Sequence, residues 1–184
     1  MNFKPTEING LYVLEPKVFE DDRGYFFESY NKALFENNGH EINFVQDNQS
    51  KSTYGVIRGL HYQLEPHSQY KLVRVIEGNV LDVAVDLRKG SPSYKKWFSV
   101  ELSAHNRKQL LIPRGFAHGY SVLSKFAVFC YKCDNLYNPQ SERGIIFNDT
   151  SLNINWKVPE KDIIISNKDM NLSSFNDAEM NFTY

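Results

Sequence analysis

Only two cysteines, Cys130 and Cys133, occur in 184 residues. Small secreted scaffolds need several paired thiols, so a disulfide framework is excluded and a reducing compartment is expected. No apolar run approaches the ~18 residues required to span a bilayer. The opening stretch MNFKPTEING also lacks the long apolar core of a signal peptide. Together these absences lead to the expectation of a cytoplasmic protein without membrane contact. Charge of one sign is missing as well: 21 Lys and Arg against 22 Asp and Glu leave a formal net charge of −1. Nucleic-acid binding ordinarily demands a basic excess, so nucleic acid is excluded as a partner, whereas one small anionic ligand is not. Repeats, low-complexity tracts and linker-like stretches are absent, and the length is short for two ordinary domains. The reading is one domain over residues 1–184.

What the chain does have is aromatic side chains: 13 Phe, 11 Tyr and 2 Trp, 14% of all residues. Such residues fit pleated, half-buried surfaces, and the hydrophobic spacing agrees, because most of it has period two. Strands are expected at 11–16, 24–30, 97–102, 109–112, 117–123, 127–131 and 144–147. Residues 72–76 and 80–87 flank Glu77-Gly78-Asn79 and read as a hairpin with a short glycine-containing turn. In its second arm Leu81, Val83, Val85 and Leu87 share one face, and Asp82 and Asp86 take the other. Only 31–38 (NKALFENN) reads as a helix, with Gly39 as its stop. Many short strands and almost no helix indicate an all-β sandwich or barrel. The polar, Asn-rich tail from Pro159 is expected to wrap over it.

Three polar clusters interrupt this pattern: Gln46–Ser50 followed by Gly55–Gln63, then Gln69–Val73, then Pro113–Tyr120. Their spacing resembles the two motifs of the cupin barrels. Gly55, His61, Gln63, Lys71 and Gly78 follow the first, and Pro113, Gly115 and His118 follow the second. Metal-binding cupins place two His and a Glu in the first motif. Here one His is Gln63 and the Glu position is Lys71, and a protonated ammonium repels a divalent cation and coordinates nothing. The expectation is a cupin-like double-stranded β-helix, a jelly-roll barrel with minor short helices, that has no metal. A fixed Lys71 ammonium can instead stabilise an enolate oxygen. An imidazole such as His61, which unperturbed titrates near ~6.5, suits removal of a proton beside a carbonyl at neutral pH.

Over nearly its whole length the chain resembles the dTDP-4-dehydrorhamnose 3,5-epimerases. The carrying stretches are Asp22–Glu28, Gln46–Asn48, Arg58–Gln63, Gln69–Val73, Asp86–Arg88, Ile112–Gly119, Tyr131-Lys132, Tyr137–Pro139, Glu142 and Ser166–Asp169. The resemblance implies a cofactor-free homodimer acting on a dTDP-linked 4-keto-6-deoxyhexose, in supply of rhamnose for lipopolysaccharide or other surface polysaccharide. It assigns His61 as base, with Asp169 orienting it, Lys71 to the 4-oxyanion and Tyr131 as the acid on the opposite face. It places Arg23 and Arg58 on the diphosphate, with Glu28, Gln46, Asn48 and Phe26 on the nucleotide side. His118, Glu142 and Lys168 match further substrate contacts. The Arg23–Glu28 segment is expected to come partly from the neighbouring subunit.

Plainer readings compete. Any single His in a β protein is ordinarily a packing or surface residue, and His40, His67 and His105 have no motif support. Tyr131 among Phe126, Val128 and Phe129 could be core. Cys130 and Cys133 lie three apart on a strand, point to opposite faces and are read as structural. A C3-only or C5-only epimerase on a related sugar nucleotide, a metal-dependent cupin and a non-catalytic sugar-nucleotide-binding cupin all remain open. Trp156-Lys157-Val158-Pro159 departs from the family's Trp-Pro pattern.

Overall fold

Period-two burial builds two facing antiparallel sheets in the computed structural model, which describes residues 1–184. One sheet has six strands: β1 (Asn2–Pro5), β2 (Tyr12–Glu15), β10 (Gln109–Ile112), β7 (Lys71–Glu77), β12 (Phe126–Cys133) and β5 (Gln46–Thr53), in that order across the sheet. The other has five, in the order β13 (Glu142–Gly144), β6 (Ile57–Gln63), β11 (Phe116–Val122), β8 (Asn79–Asp86) and β9 (Trp97–Ser103). A separate two-stranded ribbon joins β3 (Phe19–Asp21) to β4 (Gly24–Phe26). Pairing between the sheets' strands is nested: β8 with β9, β7 with β10, β6 with β11, β5 with β12. That is the jelly roll of a cupin barrel.

The expected hairpin at Glu77–Asn79 does not form. Strands β7 and β8 belong to opposite sheets, and Gly78 is the corner at which the chain crosses between them. Its φ of +82° favours glycine, and an added Cβ would collide with the Phe126 carbonyl oxygen. Neighbouring runs of alternating residues specify strands but not which strands pair.

Between the sheets lies a core that includes Val73, Val75, Val80, Leu102, Leu110, Val122 and Phe129. The second face of β8, Leu81, Val83, Val85 and Leu87, is buried too, beneath Leu152, Trp156, Phe175 and Phe182 of the C-terminal segment. The tail therefore covers the barrel as expected, and each large apolar side chain fully buried there contributes roughly 1.5–3 kcal/mol. A satellite cluster around Phe35 holds α1 (Lys32–Asn37), whose first turn is capped by Asn31 Oδ1 accepting from the Leu34 N–H. No helix is long and apolar enough to cross a membrane.

Two strands escape the hydrophobic pattern. In β5 (QDNQSKST) the half-buried positions are Gln46, Asn48 and Ser50, so its inward face is polar. Strand β6 carries Arg58, His61 and Gln63. Both read as polar interruptions in the sequence because their inward side chains face a cavity.

Candidate active site

Polar side chains converge where the barrel is hollow, in a cavity of about 360 Å³. The five-stranded sheet contributes Arg58, His61 and Gln63 from β6, His118 and Tyr120 from β11, and Glu142 from β13. The six-stranded sheet contributes Lys71 from β7, Tyr131 and Cys133 from β12, and Gln46, Asn48 and Ser50 from β5. His61 and Lys71, close in sequence, thus stand on opposite walls, and Tyr131 shares the wall of Lys71.

His61 and His118 are direct partners across β6 and β11. The register slips just beyond them, and Gly59 (φ +111°) lies against β11 there. A Cβ on Gly59 would stand 2.6 Å from the His118 carbonyl oxygen and 2.7 Å from Gly119 Cα, so this close approach excludes a side chain.

Asp169 is brought to His61 by α2 (Asn167–Met170), whose N-terminus is capped by Ser166 Oγ accepting from the Asp169 N–H at 3.1 Å. His61 Nε2 lies 2.8 Å from Asp169 Oδ1, and Oδ2 accepts from the Gly59 N–H at 3.3 Å. Burial acts to raise the Asp169 carboxyl. The His61 hydrogen bond and charge, with the Gly59 and Ser166 contacts, outweigh it and hold the carboxyl below the usual range.

Across the cavity, burial pushes the Tyr131 phenol up to about 12, with Cys133, Tyr120 and Glu142 adding to the rise. The phenol therefore stays protonated at neutral pH. Burial lowers Lys71, while Cys133, Asp82 and Glu142 pull the other way. No carboxylate forms an ion pair with Lys71, which leaves its ammonium available to a ligand oxygen. Burial also raises the Cys133 thiol, to about 11, and its Sγ accepts from Asn48 Nδ2 at 3.8 Å. Cys130 faces the other side of the strand, toward Gln49.

At the mouth, Glu142 Oε2 accepts from Tyr137 Oη at 2.7 Å and from Lys168 Nζ at 2.6 Å, so Lys168 reaches the site through Glu142. Arg58 Nε donates to Ser52 Oγ at 3.0 Å, and Gln46 Nε2 donates to Asn48 Oδ1 at 3.0 Å. Arg23, Phe26 and Glu28 do not line the cavity of their own chain. Arg23 is exposed and paired with Asp21 at 2.6 Å on the β3–β4 ribbon, Phe26 is 66% exposed, and Glu28 accepts from Asn31.

The residues at the metal positions of a cupin do not fit a cation. Gln63 is occupied, donating to the His67 and Leu136 carbonyls and accepting from the Asn138 N–H at 2.7 Å. It secures the loop that carries Tyr137. Lys71 presents an ammonium, and no group of three or more His, Cys, Asp or Glu side chains is placed to hold a metal.

Several groups were not singled out as site residues from sequence, among them Tyr120, Tyr137 and Cys133, which was read as structural but lines the cavity, and Asp82 buried behind the wall. Tyr137 lines the mouth, and its place in the Tyr137–Pro139 stretch that carries the family resemblance was the available signal. Asp82 is fully buried on the inner face of β8, its oxygens 3.0 and 3.2 Å from His118 Nε2. An acid alternating with Val80 and Ala84, in a strand whose other face is all Leu and Val, was the sign that the polar face points inward.

The family model described as dTDP-4-dehydrorhamnose 3,5-epimerase matches residues 5–177. A dTDP-4-dehydrorhamnose 3,5-epimerase from Shigella flexneri is 54% identical over 180 residues, covering 97% of this chain and 98% of the relative. The crystal structure of the enzyme of that name from Elizabethkingia anophelis superposes with a TM-score of 0.91 at 54% identity, covering 96% of this chain and 97% of the other. A Legionella pneumophila dTDP-6-deoxy-D-glucose-3,5-epimerase, solved in complex with dTDP-4-keto-L-rhamnose, also gives 0.91, at 46% identity and 95% and 93% coverage. This chain belongs to the dTDP-4-dehydrorhamnose 3,5-epimerase family and is a carbohydrate epimerase.

Proposed function

We propose that the protein converts dTDP-4-dehydro-6-deoxy-D-glucose to dTDP-4-dehydro-L-rhamnose by inverting C3 and C5. The 4-keto group makes the hydrogens on both neighbouring carbons acidic, so one base and one oxyanion site serve both centres. His61, oriented by Asp169, removes the proton and leaves an enolate whose oxygen is held by the Lys71 ammonium. Tyr131, protonated at neutral pH, returns a proton to the other face. Delivery from the opposite face is what turns exchange into inversion. The single observation that carries this reading is the opposition of His61 and Tyr131 on facing sheets of one cavity that also holds Lys71.

Substrate anchoring follows from the same geometry. Arg58 offers a planar fork to the diphosphate. Gln46, Asn48, His118, Glu142 and Lys168 supply further polar contacts. The exposed β3–β4 ribbon, with Arg23 and Phe26, and the following Glu28 complete the nucleotide site of a second copy in a homodimer. A single domain working in the cytoplasm, without a cofactor, to feed surface polysaccharide synthesis is part of this reading.

The test is NMR of the 4-keto substrate in deuterated water with the purified protein. Deuterium at both C3 and C5 with inverted product is expected. Label at one centre only would make the protein a mono-epimerase, and binding without label would reduce it to a binding module. Tyr131→Phe should still wash deuterium in through His61 while forming far less inverted product; unchanged product formation would return Tyr131 to a packing role.

A further inference from the structure

The β3–β4 ribbon, which the reading above gives to the cavity of a second copy, has almost no hold on its own barrel. A groove of about 290 Å³ separates its Tyr25, Phe26 and Phe27 from Val75, Ile76 and Ala104. Arg107, in the loop between β9 and β10, bridges the gap. Its Nη2 pairs with Glu20 Oε1 on β3 at 2.9 Å, and its guanidinium carbon stands 4.2 Å from the centre of the Tyr25 ring on β4. One planar group thus grips both strands of the ribbon. Apart from Asn31, next along the chain, no other residue outside 17–28 hydrogen-bonds or ion-pairs with this segment.

Two local costs fall on Arg107. Its φ of +54° lies in the left-handed region that favours glycine, and its Nε is buried without a hydrogen-bond partner. The loop that imposes them is tightly tied. Asn106 Oδ1 accepts from the Ser103 and Lys108 N–H groups, both at 3.0 Å, and its Nδ2 donates to the Glu101 carbonyl at 2.8 Å. The Arg107 N–H itself donates to the Ser103 carbonyl at 2.9 Å. Two residues on, buried Gln109 donates through Nε2 to the Ser29 carbonyl at 2.9 Å, where the segment rejoins the barrel. A rigid loop therefore presents one long cation to the ribbon and one amide to its root.

We propose that Arg107 is a positioning residue that aims the β3–β4 ribbon and so sets substrate affinity in the cavity of the other protomer. Arg107 lines no part of its own cavity. In a two-fold dimer each ribbon serves the other copy, so a residue remote from one cavity acts on its neighbour's. The ribbon meets the nucleotide, away from C3 and C5, so its placement affects ground state and transition state alike. The signature is a raised KM with kcat nearly unchanged. The inference rests on the reading above for what the ribbon touches.

Arg107→Asn is the test variant, because asparagine tolerates the left-handed backbone but cannot reach Glu20 or Tyr25. Its KM for deuterium exchange is expected to rise about 10-fold, the order of an exposed ion pair and a cation–π contact together, with kcat changed less than about twofold. Arg107→Lys, which keeps the charge, should recover part of the loss. Mixed dimers then locate the effect. Arg107→Asn paired with His61→Ala leaves one working cavity, served by an intact ribbon, and should show the wild-type KM. Wild type paired with a chain carrying both substitutions leaves one working cavity served by the altered ribbon, and should show the raised KM. The reverse pattern, an unchanged KM in Arg107→Asn, or a monomeric wild-type protein would each overturn the proposal. If wild-type protein exchanges no deuterium, the proposed reaction fails, and calorimetry with dTDP decides the role of Arg107 instead. A Kd about 10-fold weaker in Arg107→Asn then supports it, and an equal Kd overturns it.

Discussion

The His61–Asp169 and His118–Asp82 pairs use the same two groups at similar separations, 2.8 and 3.0 Å, yet their carboxyls are driven in opposite directions. Asp169 has backbone help: the Gly59 N–H reaches its second oxygen, and its helix turn is capped. Its carboxyl is lowered and stays an anion beside an imidazole that is 30% exposed. Asp82 has one partner, no backbone donor and no water-facing surface, and its carboxyl is raised. Donors to the carboxylate, more than its distance from the ring, decide whether the carboxyl of a His–Asp pair is lowered or raised.

Five substitutions would break or sharpen that contrast. The largest effect is expected for His61→Ala, which removes the proposed base and should slow deuterium exchange by about 10³-fold. Near wild-type exchange in the folded variant would end the assignment. Asp169→Asn should follow, with exchange down about 10²-fold as the ring loses its anionic anchor. Its stability carries a sign as well. A carboxyl held below its unfolded value stabilises the fold at neutral pH, and this is lost as pH falls through the folded value. The deficit of Asp169→Asn in urea melts should therefore shrink in acid. For Asp82 the sign reverses: its carboxyl opposes folding above its unfolded value, so Asp82→Leu should match or exceed wild-type Tm at pH 7.

Lys71→Met separates function from stability on the facing wall. Exchange should fall by about 10²-fold with the proposed oxyanion contact gone, while Tm at pH 7 rises, because a lowered lysine penalises the fold wherever it is charged. That gain should vanish as pH climbs through the ordinary lysine range. A lower Tm would show that the ammonium is compensated within the protein. The smallest effect belongs to Ser166→Ala, which removes the cap of α2. A loss of ~1 kcal/mol, read as a drop of about 2–4 °C in Tm, and a few-fold slower exchange are expected. The same drop in Tm with unchanged exchange would show that Gly59 and His61 hold Asp169 without the cap.

Much of this was legible in the residues. Strands β9, β10, β11 and β12 lie close to where alternation put them, and the cupin-like spacing brought His61, Lys71 and His118 to one cavity. Alternation failed where it met function. Strands β5 and β6 were missed because their inward residues are polar, and the inner face of β8 holds Asp82 among small apolar neighbours. The absent hairpin has a different cause. Gly78 marks a turn equally well whether the chain folds back on itself or leaves for the other sheet, and only contacts distant in sequence choose between them. Arg23, Phe26 and Glu28 stand outside their own cavity because nothing within one chain folds the β3–β4 ribbon toward it.

The nested pairing has a consequence for how the cavity comes into being. The innermost ladder, β8 with β9, closes a short loop, whereas β6 with β11 and β5 with β12 close successively longer ones. Each widening costs more chain entropy before contact is made. His61 meets His118 in the third closure, and Tyr131 meets Asn48 in the outermost. His61 and Tyr131 thus sit on the two of the four nested ladders with the greatest sequence separation. During refolding, the return of deuterium exchange should trail the return of β-sheet signal, so activity reports the last stage of assembly.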